Sequence, residues 1–430
     1  MTHTTLERYL SRPRCTSCGK GVLYAIDVMN GHLVSSCSNG RGCFFSVHIE
    51  LPPIKKKIIY LDTSVVSRMA KAKARKEQDS LDLKLYEALR RAAARNLIVC
   101  PGSAIVETEA ELSALSDIII DMSRHLSDPG LHYSLQVQET QILRVLDAWL
   151  NAQQPEGLTA LPWQDAFRSD PDAWHSTFKF SLNIRMPDDF IAAARVTKTS
   201  TLPVMEEMYR AYKRDEFTFG QIVENEMRAF PEAVRITGHN LMAARHQAVN
   251  GELPDVDVWW LSTFDKIAMW IEHRTKCSIE EAFERTNDFL RSSHASATPY
   301  SQIASRLQAQ LAILCRGDQP RLPDDGDHYD VEHIATFVPY VDILIADKFF
   351  AGIANQKNLE IGTRWGTKIR SLVPKEVPDF IDWLESLADE NETARLSERI
   401  TAAIWQGGFI QDFIAHMKAT TPEVFTNKAE

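Results

Sequence analysis

Two short apolar runs, IIYL at 58–61 and VDILIA at 341–346, each lead directly into an aspartate, Asp62 and Asp347. Aliphatic runs of this length are too short for helices and read as strands buried on both faces, as in parallel sheets. A carboxylate at the end of a buried strand is costly unless something occupies its charge. In parallel α/β sheets ligands sit beyond the carboxyl ends of the strands, so Asp62 and Asp347 are expected to converge there.

The neighbouring pattern extends this reading. KEQDSLDLKLYEALRRAAAR (76–95) has helical spacing through Leu81, Leu85, Ala88 and Leu89, and NLIVC (96–100) reads as a second strand. A helix then opens at PGSAIVETEAELSAL, with Ser103 as its N-cap and Glu107 and Glu109 in its early turns. The alternation stops at about residue 116, and helical segments follow one another to about 320. It resumes with a helix in DVEHIATFVPY, the strand VDILIA, a fourth strand in TKIRSLV and a helix in VPDFIDWLESLADE. The expected fold class is α/β, a parallel sheet flanked by helices and carrying a large all-helical insertion. Residues 51–115 and 321–390 would form one discontinuous domain, 116–320 the insertion, and 391–430 a C-terminal helical segment.

Residues 1–50 read as a separate small unit. Of seven cysteines, four stand at Cys15, Cys18, Cys37 and Cys43, spaced C-x2-C-x18-C-x5-C among Gly-rich turns. Four thiolates so placed can close tetrahedrally on Zn²⁺, and a domain this small needs such a staple. The expected unit is a zinc ribbon with a structural metal, since four cysteines leave no open position. The wide second pair keeps His48 open as a substitute for Cys43.

Net charge is −10, with a pI near 5.8, which argues against a general nucleic-acid coat but not against a local basic groove. No apolar run approaches 20 residues and the N-terminus lacks an apolar signal core, so the expectation is a cytoplasmic protein without a membrane partner. Basic runs at 55–57, 71–76 and 90–95 flank Asp62 in sequence; they are either solvated faces or a phosphate-binding rim. Trp259 and Trp260 read as core residues, and His273, His294 and the other scattered histidines as ordinary ones. Asp342 reads as structural.

Four acidic residues then come from four segments: Asp62, Glu107, Asp330 and Asp347, with Glu109 and Asp327 as competitors for the middle two. Packed together, such carboxylates repel, and oxygen-seeking divalent cations such as Mg²⁺ or Mn²⁺ would resolve the repulsion. A strand leading into Asp62-Thr63-Ser64, an acid opening a later helix, another preceding a helix, and a closing ADKFF resemble the PIN domain, a metal-dependent nuclease fold. A haloacid-dehalogenase-like pattern fits less well, because Ser64 stands where a second aspartate is needed. The resemblance spans roughly 57–115 and 325–390; neither the ribbon nor the long insertion belongs to the minimal family pattern.

What the resemblance implies is phosphodiester hydrolysis with one or two Mg²⁺ or Mn²⁺ ions, leaving 5′-phosphate and 3′-hydroxyl ends. Asp62 would be the central ligand, Asp330 and Asp347 would complete the metal shells, Glu107 would ligate or orient water, and Ser64 would contact phosphate. The expected partner is nucleic acid, RNA before DNA, with the ribbon and insertion contacting substrate or a protein partner or inhibitor. The family often serves as toxins or in defence against phage. Two other readings stay open: a catalytically inactive scaffold whose ribbon does the binding, and a structure-selective DNA nuclease.

Overall fold

The computed structural model describes residues 3–39, 42–77, 79–126, 129–154, 161–175, 202–251, 260–316, 320–324, 326–389 and 391–406. The N-terminal unit contains α1 (His3–Leu10) and an antiparallel sheet of β1 (Leu23–Met29), β2 (His32–Cys37) and β3 (Ser46–Glu50) in that order. Asn30 and Gly31 join the first two strands with φ of +49° and +74°, the left-handed pair that a tight hairpin requires. Val28, Leu33 and Ile49 bury one face of this sheet against Ile400 and Ile404 of the C-terminal helix. The ribbon is therefore anchored by the far end of the chain.

The parallel sheet consists of β4 (Lys57–Leu61), β5 (Ile98–Val99), β6 (Ile343–Ala346) and β7 (Lys368–Ser371), ordered β5-β4-β6-β7. Period-2 alternation divides its side chains between two cores. Ile59, Leu61, Ile343 and Ile345 face one side, and Ile58, Tyr60, Leu344 and Ala346 the other. The first face is covered by α2 (Thr63–Ala74), α3 (Leu81–Ala94) and α5 (Ser116–Leu126), together with α15 (Val377–Ser386). The last turn of helix α2 lies in the basic run at 71–76. The helix's amphipathic order is nonetheless clear in the buried Val65, Val66, Met69, Ala70 and Ala72.

The opposite face is covered by segments far apart in sequence. Val106 comes from α4 (Ala104–Glu111), Val137 from α6 (Ser134–Leu150), Ile303 and Leu307 from α11 (Pro299–Leu314), and Ile334 and Phe337 from α12 (Asp327–Phe337). A separate core joins α6 to α8 (Phe219–Val249), α9 (Thr263–Thr275) and α10 (Ile279–Arg291). A further helix, α7, spans 202–214. Gly238 lets α8 approach α9, since a Cβ there would stand 2.4 Å from the ring of Phe264. The segment expected as a detachable insertion thus supplies part of the sheet's own core, and α5 lies on the α/β side of the boundary expected at 115. Helices α13 (Lys348–Ala354), α14 (Ile361–Trp365) and α16 (Glu392–Gln406) complete the described residues.

Two surface expectations change. Lys57 begins β4, Lys71 and Lys73 end α2, and Arg91 ends α3, so all three basic runs lie at the end of the sheet away from Asp62. Several are already paired, Lys55 with Asp172, Lys57 with Asp342, Lys73 with Asp121 and Arg91 with Glu385. They form no rim around the strand-end acids. Trp260 is half exposed rather than core, and Trp259 lies outside the described residues.

Candidate metal centres

In the N-terminal unit, the Sγ atoms of Cys15, Cys18, Cys37 and Cys43 all lie within 4.8 Å of one another. Cys15 and Cys43 are 3.8 Å apart, and Cys18 and Cys37 3.6 Å. Zn–S bonds of about 2.3 Å in a tetrahedron place sulfurs about 3.8 Å apart, so the four fit that ion. The amide of Gly21 donates to Cys18 Sγ at 3.5 Å and that of Asn39 to Cys37 Sγ at 3.4 Å. Gly21 and Lys20 amides hold the Cys18 thiol down at about 6, while, against the lowering bond from Asn39, burial and the neighbouring thiols push Cys37 up, so in the absence of metal the pair shares its protons unequally. Gly21 must be glycine, because a Cβ would stand 2.5 Å from Cys37 Sγ. His48 is exposed on β3, its ring facing His32, and Cys43 takes the fourth place.

The second centre lies beyond the carboxyl ends of β4 and β6. Leu61 pairs with Ile345, and the Asp62 amide donates to Ile345 O at 3.0 Å, so Asp62 and Asp347 leave adjacent strand ends. Each aspartate also caps a helix. Asp62 Oδ2 accepts from the Ser64 amide at 3.2 Å and from the Ser64 hydroxyl, and Asp347 Oδ1 accepts from the Phe350 amide at 2.9 Å. The caps fix both carboxylates while engaging one oxygen of each.

Glu109, not Glu107, is the residue of α4 that reaches Asp62. Thr63 Oγ1 donates to Glu109 Oε2 at 2.6 Å. Two positions apart on a helix point about 200° apart, so only one of the pair can face the strand ends. Glu107 is exposed at the rim of a small cavity with Leu61, Val66 and Arg124, where partial desolvation raises its pKa against the opposing charges of Arg168 and Arg124. Helix phase is the sequence signal for this choice: Glu109 follows buried Val106 by three residues and precedes buried Ala110.

On α12, Asp327 is paired with Arg321, whose guanidinium also lies over the Phe349 ring, 3.9 Å from its centroid. That pairing gives Asp327 a structural role at the start of the helix. Asp330, one turn further on, is pushed up to about 9 by burial and then by the charges of Asp62, Asp347, Glu109 and Asp327. Strand-end Asp62 and Asp347 therefore share one electrostatic neighbourhood with Glu109 and Asp330. Ser64 is exposed at the first turn of α2, hydrogen-bonded to Asp62.

His333 joins the acids although it reads as ordinary in the sequence. Atoms of Asp62, Glu109 and His333 lie within 4.8 Å of one another, and His333 Nε2 stands 3.9 Å from Glu109 Oε2. His333 is 2% exposed, and its Nε2 has no hydrogen-bond partner among the described residues. Its signal was the i, i+3 spacing from Asp330, which puts both on one face of α12. An oxygen-rich donor set with a buried nitrogen can hold a divalent cation. Among the described residues, no helix is long and apolar enough to cross a membrane. No protein-family model matches this chain, and no match was found among curated proteins or solved structures.

Proposed function

We propose that this protein is a metal-dependent nuclease that hydrolyses phosphodiester bonds, acting on RNA in preference to DNA. The observation that carries the reading is that Asp62 and Asp347 leave adjacent ends of a parallel sheet, with ligand atoms of Asp62, Glu109 and His333 within 4.8 Å of one another. Asp327 is paired with Arg321, whereas the Asp330 carboxyl is raised by burial and then by the charges of Asp62, Asp347 and Glu109. That the activity is nucleolytic, and directed at RNA, rests on the resemblance of Asp62-Thr63-Ser64 and ADKFF to the PIN pattern.

In this reading Asp62, Glu109, Asp330 and Asp347 hold Mg²⁺ or Mn²⁺. The chemistry such a cation supplies is a nucleophilic water at neutral pH and neutralised charge during in-line displacement. The chain's own part is to fix the ligands. Helix caps hold Asp62 and Asp347, Thr63 holds Glu109, and the Ser64 amide and hydroxyl both donate to Asp62. The thiolate cluster would hold a structural zinc, leaving the ribbon to contact substrate or a partner.

The test is cleavage of labelled single-stranded RNA and DNA with Mg²⁺ or Mn²⁺ by wild type, Asp62→Asn and Asp347→Asn, all shown to be folded. Metal-dependent cutting by wild type, reduced at least a thousandfold in both variants, is expected. A folded wild type that neither cuts nor binds Mn²⁺ would favour a non-catalytic scaffold acting through its ribbon.

A further inference from the structure

We infer that His333 Nε2 is a nitrogen ligand of the strand-end site, making it selective for a first-row transition cation of the Mn²⁺ class over Mg²⁺. The inference rests on the metal-site reading above but adds a donor and a selectivity to it. The nitrogen is buried, has no hydrogen-bond partner among the described residues, and faces Glu109 Oε2 across 3.9 Å. That gap is too long for a hydrogen bond, yet a shared cation with bonds of roughly 2.1 Å can bridge it.

The surroundings of the ring point the same way. His333 Nδ1 is bonded to the Tyr60 hydroxyl, which is also 2.9 Å from Ser103 Oγ. If Nδ1 alone carries the proton and donates to Tyr60, the Nε2 lone pair is aimed at carboxylates, an arrangement that is repulsive unless a metal cation, or a second proton pairing the ring with Glu109, intervenes. If Nε2 carries the proton, it is a buried donor with no acceptor within reach. A cation on Nε2 resolves the first case, and an oriented Nδ1–H is the usual partner of a metal-bound imidazole. Imidazole nitrogen suits transition cations, whereas Mg²⁺ takes oxygen ligands, which gives the site its selectivity.

The probe is Mn²⁺ alone, added to full-length protein whose thiolate site is filled with zinc, with affinity measured by titration and the ligands by pulsed electron paramagnetic resonance. Asp62→Asn locates the ion at the acids by abolishing its binding. The expected result is nitrogen coupling to bound Mn²⁺ in wild type. In His333→Gln the coupling is lost and Mn²⁺ affinity falls at least tenfold, while Mg²⁺ affinity changes less than threefold. The wild-type spectrum decides the matter even if the variant does not fold. Mn²⁺ bound at the acids without nitrogen coupling overturns the inference and leaves the carboxylate site standing; no bound Mn²⁺ overturns both.

Discussion

Thr63 Oγ1 donates a 2.6 Å hydrogen bond to Glu109 Oε2, tying the residue after the first strand's aspartate to the helix after the second strand. The bond gives Thr63 a task that its place beside Asp62 does not reveal: it sets the orientation of a carboxylate 46 positions away. Thr63→Val keeps the shape and removes the donor. It is expected to cost about 1.5–3 kcal/mol in stability, the range for a hydrogen bond to a charged group. Mn²⁺ affinity should fall about tenfold as Glu109 loses its orientation. Chemical denaturation and metal titration measure the two effects, and an unchanged affinity would deny Thr63 the positioning role.

The two glutamates of α4 make an internal comparison. Glu109→Gln is expected to abolish metal binding and RNA cleavage, whereas Glu107→Gln should leave both within about threefold, because its carboxyl lies in a cavity with Arg124. Cleavage assays on the two folded variants decide this, and the reverse order would return Glu107 to the site.

Asp330 predicts a pH dependence. Its carboxyl has an ordinary value of 3.8 and is pushed up to about 9 in the fold, first by burial and then by Asp62 and its neighbours. Between those values the folded, metal-free protein binds a proton that the unfolded chain does not, so this group's contribution to stability declines as pH rises from about 4 to about 9. Asp330→Asn mimics the protonated form. The variant should therefore gain stability over wild type at pH 8 and show no gain near pH 4. Denaturant unfolding at both values checks the sign, and an equal effect at the two would mean the carboxyl is not strained.

Zinc is expected at about one ion per chain, and Cys37→Ser should eliminate it. Small zinc units hold little core of their own, so the variant should expose residues 1–50 to limited proteolysis while leaving the parallel sheet protected. Elemental analysis and mapping of the cleavage sites test both parts. A zinc-free wild type with an ordered ribbon would remove the metal from the account.

The basic run at 71–76 begins roughly 13 Å along α2 from Asp62, nine residues at about 1.5 Å each. Lys71→Ala and Arg75→Ala are expected to change the cleavage rate less than threefold on a short RNA. A loss of tenfold or more would mean that substrate wraps around the sheet.

Some of this protein was written locally. Strand runs such as IIYL and VDILIA carry their own buried pattern, C-x2-C carries its own knuckle, and Ser103 announces the helix it caps, because each depends on neighbours in the chain. The aspartates at the strand ends were legible for the same reason. What the sequence left open was every choice made across space. Glu109 prevailed over Glu107 through helix phase against the sheet, Asp330 over Asp327 because Arg321 claimed the latter, and the basic runs fell at the far end through the direction of β4 and α2. The i, i+3 spacing placed His333 on the face of Asp330 but did not show that its ring would reach the acids. Only the packing of α12 over Tyr60 buries its ring and turns Nε2 toward the acids, since burial and electrostatic partnership belong to the assembled core.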